Sequence, residues 1–191
     1  MAGEPSDRDL VERFVGGDRD AFAVLVQRHE RRVYNLAYRM LGREEDAHDA
    51  TQDTFLNAFR RMSSFRGDAQ FTTWLHRVAI NTCYDALRRR KREPALEMDQ
   101  SAQGDAIPHD HAESTAVSID VQRALLRVPN EFRAALVLHD VQDLPYDEIA
   151  EILGVPVGTV KSRIHRGRVA LARELGERPR AVRPSEETTT Q

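Results

Sequence analysis

One stretch limits what this 191-residue chain can fold into more than any other: "EPALEMDQSAQGDAIPHDHAEST", residues 93–115. Its prolines at 94 and 108, its glycine and its small polar side chains follow neither the two-residue nor the 3.6-residue apolar period. Nothing in it forms a face that could be buried. The segment 93–116 also carries six acidic side chains and no lysine or arginine. It therefore predicts an acidic connector, flexible on its own. The sequence on either side must build its own core.

Both flanks read as helices. In residues 1–92, Asp18 is placed to cap a helix whose apolar set Phe22, Leu25, Val26, Val33, Tyr34, Ala37, Tyr38 and Leu41 recurs at three- and four-residue steps. Gly42 suits its C-terminal stop. Next, "REEDAHDATQDTFLNAFRRM" sets acids in the first turns and arginines in the last, in agreement with the helix dipole. After the break "SSFRGDAQF", the run "TTWLHRVAINTCYDALRRRKR" places Trp74, Leu75, Val78, Ala79, Thr82 and Leu87 on one stripe. Arg77, Asn81, Asp85 and Arg88 share another. Helical periodicity resumes beyond the connector, in residues 117–176, and the polar tail 177–191 has nothing to bury. The expected fold is all-α: two small helical domains joined by a flexible acidic linker.

Composition narrows the function classes. Aromatics are 6% and charged residues 31%, which suits helical surfaces. No apolar run approaches the ~20 residues of a membrane span, and the N-terminus has no apolar stretch behind basic residues. A cytoplasmic protein without direct membrane insertion is expected. Cys83 is the sole cysteine, so an internal disulfide and a cysteine-based zinc site are both excluded. "PHDH", Pro108 to His111, lies in the connector without matching ligand spacing elsewhere, so no metal is expected. No set of acid, base and nucleophile is evident; neither an enzyme nor a cofactor is expected.

The second domain carries the sharpest local motif. In "LPYDEIAEILGVPVGTVKSRIHRGRVALAREL", a small Ala150 sits where two helices would cross, and Gly154 suits the positive φ of a tight turn. Pro156 fits a helix start, where its missing N–H costs nothing. Val160, Ile164, Gly167 and Leu171 form one stripe of the second helix. Lys161, His165 and Arg168 make a neighbouring row, with Ser162 and Arg166 beside it. This is the pattern of a helix-turn-helix with one buried face and one face of donors for a major groove. Lys161 and Arg166 are the best base readers, since both types donate to guanine O6 and N7. Arg163 joins the basic set, and the backbone at Gly158 and Thr159 is placed to meet a phosphate. The rival reading is an ordinary amphipathic helix with a solvated basic face.

The two motif blocks also carry a resemblance. "DAHDATQDTFLNAFRRMSSFRGDAQFTTWLHRVAINTCYDALRRRKR" resembles region 2 of the extracytoplasmic-function (ECF) sigma factors, the small specificity subunits of bacterial RNA polymerase. "DLPYDEIAEILGVPVGTVKSRIHRGRVALARELG" is similar to their region 4. The resemblance implies that residues 1–92 dock on core polymerase and melt the −10 element, and that 117–176 read the −35 element. It implies docking of Asp49, Gln52, Asp53, Phe55, Leu56, Asn57 and Arg60 on a coiled coil of the polymerase largest subunit, with the β flap as a further contact. It implies capture of a flipped base by the loop "FRGDAQF". There Phe65 would offer a stacking face, Asp68 and Asn81 polar edges, and Arg66, Arg77 and Arg88 would hold the strand. Trp74 is assigned to the core. The linker would lie in the basic channel later taken by RNA, and an anti-sigma factor is the implied regulator, in a stress response.

The formal net charge of −3 then needs explaining in a DNA reader. Its acids concentrate in the connector, and the polymerase would hold most of the DNA. Two other classes compete: a helix-turn-helix regulator whose first domain senses a ligand or dimerises, and an enzyme acting on nucleic acid. The first gives no reason for "FRGDAQFTTWLHRVAIN"; the second lacks a catalytic set.

Overall fold

The computed structural model describes residues 4–62, 65, 70–92 and 112–176, with the backbone alone for 112–118. Eight α-helices are present among them: α1 (Asp7–Val15), α2 (Asp20–Leu41), α3 (Glu44–Arg61), α4 (Phe71–Arg92), α5 (Ala112–Arg127), α6 (Asn130–Leu136), α7 (Tyr146–Leu153) and α8 (Val157–Gly176). A π-helical turn, Val137–Val141, extends α6. The all-α expectation holds, with no strand among the described residues.

The first domain is built from α1 to α4. Helix α1 starts at a reciprocal cap. The Ser6 hydroxyl accepts the Asp9 amide at 3.2 Å, and the Asp9 carboxylate accepts the Ser6 amide at 2.9 Å. Asp18 accepts the Asp20 amide at 3.1 Å and pairs with Arg13 at 2.7 Å, fastening the turn between α1 and α2. Gly42 ends α2 at φ 83°, its N–H donating to the Tyr38 carbonyl at 2.9 Å. The apolar stripes meet in a core around Leu25, Leu36, Met40, Met62, Leu75 and Ile80, all fully buried.

The second domain packs α5 and α6 against α8, with α7 closing the other side. Gly167 allows the close approach of α8 and α6: a Cβ there would stand 2.7 Å from a Leu136 methyl and 3.2 Å from the Phe132 carbonyl. Helix α5 begins at Ala112, so residues 112–116, expected in the linker, are helical. Alanine and glutamate favour helix, and no proline follows Pro108 until Pro129.

The sequence did not foretell how the domains meet. They pack directly: α4 lies against α7, and α2 against α5, α6 and the π turn. Arg133, 5% exposed, donates through Nη1 to the Met40 carbonyl at the end of α2 and through Nη2 to the Leu126 and Val128 carbonyls. Gln122 donates to the Tyr38 carbonyl at 3.0 Å and accepts from Arg39 at 2.8 Å. Thr73 donates to Glu148 at 3.2 Å. Leu126 lies so close over Gly42 that a Cβ there would be 2.2 Å from its methyl.

Candidate nucleic-acid interface

Helix α8 owes its orientation to its buried stripe. Val160 and Ile164 are essentially fully buried, and Gly167 lies beneath Leu136. Gly154 makes the turn at φ 64°, as its position predicts. The opposite face is open: Gly158, Lys161, Ser162, His165 and Arg166 are exposed. A Cβ at Gly158 would meet nothing within 4 Å, so a partner's backbone can come close. These five predicted residues share one surface.

Three others differ from expectation. Arg163 is turned to the flank, half-buried and paired with Glu131 at 3.4 Å. Two helical positions separate it from Lys161 and rotate it toward α6. Thr159 has committed its N–H to the Pro156 carbonyl at 2.8 Å, in the first turn, so it is no free phosphate donor. Arg168 grips Asp140 with both nitrogens, at 2.6 and 3.2 Å. Burial works to raise the Asp140 pKa, but the hydrogen bonds from Arg168 and His139 outweigh it and hold the carboxyl below its usual value. The guanidinium is thereby anchored to the π turn.

Two side chains on this surface were missed in the sequence. Tyr146, at the start of α7, lies 5.6 Å beneath the Lys161 ammonium and stacks on His139 with centroids 5.1 Å apart. Val169 is 57% exposed beside His165 and Arg166. It offers an apolar contact of the kind a thymine methyl takes. An exposed valine among arginines breaks the helix's pattern and was the available signal.

The predicted single-strand surface on α4 is partly committed. Asn81 and Arg88 are exposed, with Arg88 paired to Asp85. Arg77 reaches across to α7, where it donates to the Glu151 carbonyl and approaches its carboxylate at 3.9 Å. Phe65 is half-buried against Trp74 at 5.2 Å and Phe71 at 6.1 Å, so its ring belongs to an aromatic group. Trp74 is itself half-buried against the core. Arg66 and Asp68 lie outside the described residues, as does "PHDH". Cys83 is buried, and burial pushes its thiol pKa up to about 12. The thiol is inert packing.

On α3, Asp49, Gln52, Leu56 and Arg60 are exposed, with Asp53 and Asn57 half-buried beside them. Leu56 is 52% exposed, a long apolar side chain in water on a helix that already has a core face. Phe55 departs from expectation. It is 8% exposed and packs toward Phe22 at 6.5 Å, because its position falls on the core stripe with Thr51 and Ala58. Phe59 takes the outer place, 42% exposed against Phe14 and Phe22. A groove of about 490 Å³ runs between α3 and α4, lined by Asp46, Asp49, Gln52, Asp53, Arg89 and Arg90. Asp53 and Arg89 are 3.6 Å apart across it, Asp46 and Arg90 3.8 Å.

A four-helix unit with a mixed polar and apolar outer helix, joined to a helix-turn-helix with an open basic face, defines the structural class. Family models match both parts: Sigma-70 region 2 over residues 25–93, and Sigma-70 region 4 over 118–171. The chain is 45% identical to the ECF RNA polymerase sigma factor SigM of Mycobacterium tuberculosis, over 91% of this chain and 86% of that one. It is 38% identical to the ECF RNA polymerase sigma factor SigW of Bacillus subtilis, over 86% and 94%. Among solved structures it is similar to the sigma factor RpoE bound to the anti-sigma factor NepR from Bartonella quintana. There the TM-score is 0.67, with 25% identity, covering 83% of this chain and 98% of that one. CnrH, in complex with the cytosolic domain of CnrY, gives the same score at 28% identity, covering 89% and 97%. The chain belongs to the ECF RNA polymerase sigma factors.

Proposed function

We propose that this sigma factor divides promoter recognition between its domains and acts by binding, without catalysing a reaction. The observation that carries the reading is the open face of α8, where Lys161, Ser162, His165 and Arg166 stand together over a fully packed inner stripe. That face enters the major groove of the −35 element. Arg166 and Lys161 donate to guanine edges, and Gly158 lets the backbone approach a phosphate. Asn81, Phe65 and Arg88 serve the −10 element, where an extruded base gains stacking and edge hydrogen bonds to offset the few kcal/mol that unstacking costs. The exposed stripe Asp49, Gln52, Leu56 and Arg60, with Asp53 beside it, docks on core polymerase, with Phe59 replacing Phe55 as its aromatic member.

Control by an anti-sigma factor fits the same reading, since both solved relatives are complexes with such a partner or a cytosolic domain. No described helix is long and apolar enough to cross a membrane. The protein works in the cytoplasm, where the polymerase is. The acidic segment before α5 follows the basic channel of the enzyme.

The test is run-off transcription from a library of promoter sequences with core polymerase, with and without the full chain. Specific transcripts that depend on the chain are expected. Transcripts that do not change when it is added contradict the reading.

A further inference from the structure

About two turns of α8, roughly 10 Å of axis, separate Lys161 from Arg168. Both are tied to side chains outside the helix, and those side chains touch one another. Asp140 accepts from Arg168 at 2.6 and 3.2 Å, and His139 Nδ1 lies 2.5 Å from the same carboxylate. The His139 ring is nearly parallel to the Tyr146 ring, at 16° with centroids 5.1 Å apart. The Lys161 ammonium stands over that Tyr146 ring, 5.6 Å from its centre. A continuous chain of contacts thus runs from Arg168 through Asp140, His139 and Tyr146 to Lys161.

The backbone beneath this chain is irregular. His139 and Asp140 lie in the π turn, which the Gln142 N–H closes on the Val137 carbonyl at 3.0 Å. Asp143, just beyond, stands at φ 56°, a left-handed conformation that aspartate tolerates better than most residues. A π turn inserts a residue into the helical count and so re-aims the side chains it carries. Here those side chains are the two that hold Tyr146 and Arg168. Core packing does not account for them: His139, Asp140 and Tyr146 are all partly in water, and Val160 and Ile164 already fill the inner stripe of α8.

Lysine explains what the chain is for. Its ammonium is a point charge on a flexible four-carbon stem, and fixing it on one base edge costs rotamer freedom. A ring beneath the ammonium narrows its positions before DNA arrives, so less freedom is lost on binding. Arg166, with a rigid planar fork, needs less support of this kind.

We propose that Tyr146 is a positioning residue for base reading: it seats the Lys161 ammonium on the groove-facing side of α8, and is itself held by His139 and Asp140. The seat rests on the promoter reading given above, in which Lys161 donates to a guanine edge.

The test uses the full chain with core polymerase on a selected promoter, each base pair of the −35 element being varied in turn. Lys161→Ala identifies the pair whose preference Lys161 sets. Tyr146→Leu should weaken the preference at that pair roughly two- to fivefold, the size of an exposed cation–π contact, and leave the other pairs unchanged. Tyr146→Phe keeps a ring under the ammonium and should recover most of the loss. In the Lys161→Ala background Tyr146→Leu should add nothing. An undiminished effect there, a uniform loss at every pair, or equal losses for Phe and Leu overturns the seat. A second readout needs no polymerase. The chain has two lysines, Lys91 and Lys161, so lysine-selective labelling resolves both ε-methylene groups by NMR. In the free chain the Lys161 signal should lie upfield, displaced by the ring current of Tyr146, and return in Tyr146→Leu; a wild-type signal without that displacement overturns the seat. Lys161→Ala with every preference intact overturns the promoter reading of Lys161 and the role of the seat with it. A preference relaxed by Lys161→Ala and untouched by Tyr146→Leu overturns the seat alone.

Discussion

Helices α4 and α8 are both long, both basic, and both carry polar residues proposed to meet promoter DNA, yet they stand in opposite conditions. On α8 the inner stripe is filled by its own domain, and the outer face is open. On α4 the inner stripe is also filled by its own domain, but part of the outer face is covered by the other domain. The difference lies in the side chains. Helix α8 shows water Lys161, Ser162, His165 and Arg166, whereas α4 offers Thr73 and His76, which a neighbour can bury. A reader of double-stranded DNA can stay exposed. A surface that holds single strands, with stacking groups and a basic rim, is better kept covered until the duplex is opened.

The comparison can be broken at several points, from the largest effect to the smallest. Arg166→Ala should reduce promoter-directed transcription by roughly tenfold or more, in line with the ~1–3 kcal/mol a good base contact supplies, while affinity for core polymerase stays unchanged. Run-off assays beside a core-binding assay check this, and loss of core binding would remove α8 from the −35 role. Gly167→Ala should separate α8 from α6. The added Cβ meets Leu136 at 2.7 Å, and overpacking of this kind costs about 1–3 kcal/mol. A fall of roughly 2–10 °C in the melting temperature is expected, with promoter activity falling as α8 loses its seat. Asp53→Arg sets two cations across the groove where Asp53 and Arg89 now stand 3.6 Å apart. Assembly with core polymerase should weaken severalfold in a fluorescence titration; an unchanged affinity takes Asp53 out of the docking surface.

A separate effect is one of pH, on the covered side of α4. Burial first, then the charges of Arg32 and His29, lowers the pKa of His76 from 6.5 to about 4, against smaller opposing hydrogen bonds from Gln142 and the Thr72 backbone. An opened seam returns the ring toward its ordinary value. The open form then binds the proton more readily, so closure is fully favoured above pH 6.5 and is lost as pH falls from 6.5 toward 4. Near pH 5.5 the balance should shift about tenfold toward the open form. Thermal unfolding of the full chain, followed against pH, measures the shift, and His76→Gln should flatten the curve.

Much of this was legible in the sequence because it depends on local rules. The α2 stripe, the stop at Gly42, the Gly154 turn and the buried faces of α4 and α8 all follow from periodicity and glycine conformation. Helix α1 went unread, although Ser6 and Asp9 spell the capping pattern at its start. Phe55 reads as an outer residue because its neighbours Leu56 and Phe59 blur the stripe, and one position along a helix is about 100° of rotation. The uses of Arg163, Arg168 and Arg77 were invisible for another reason. An arginine on a helix reads the same whether it awaits a phosphate or grips a carboxylate or carbonyl that sequence places 28, 32 or 74 residues away. The seam between the domains was hidden for that reason too. The partners of Arg133 there are remote backbone carbonyls, which no side-chain pattern records.

The division of labour between α8 and α4 is tested most directly by permanganate footprinting of a selected promoter, with core polymerase and either Arg166→Ala or Asn81→Ala. The account predicts that Arg166→Ala lowers occupancy of the closed complex and, with it, the reactivity of unpaired thymines. Asn81→Ala should leave occupancy near wild type and lose thymine reactivity alone. Equal losses of occupancy and melting in both variants would contradict it.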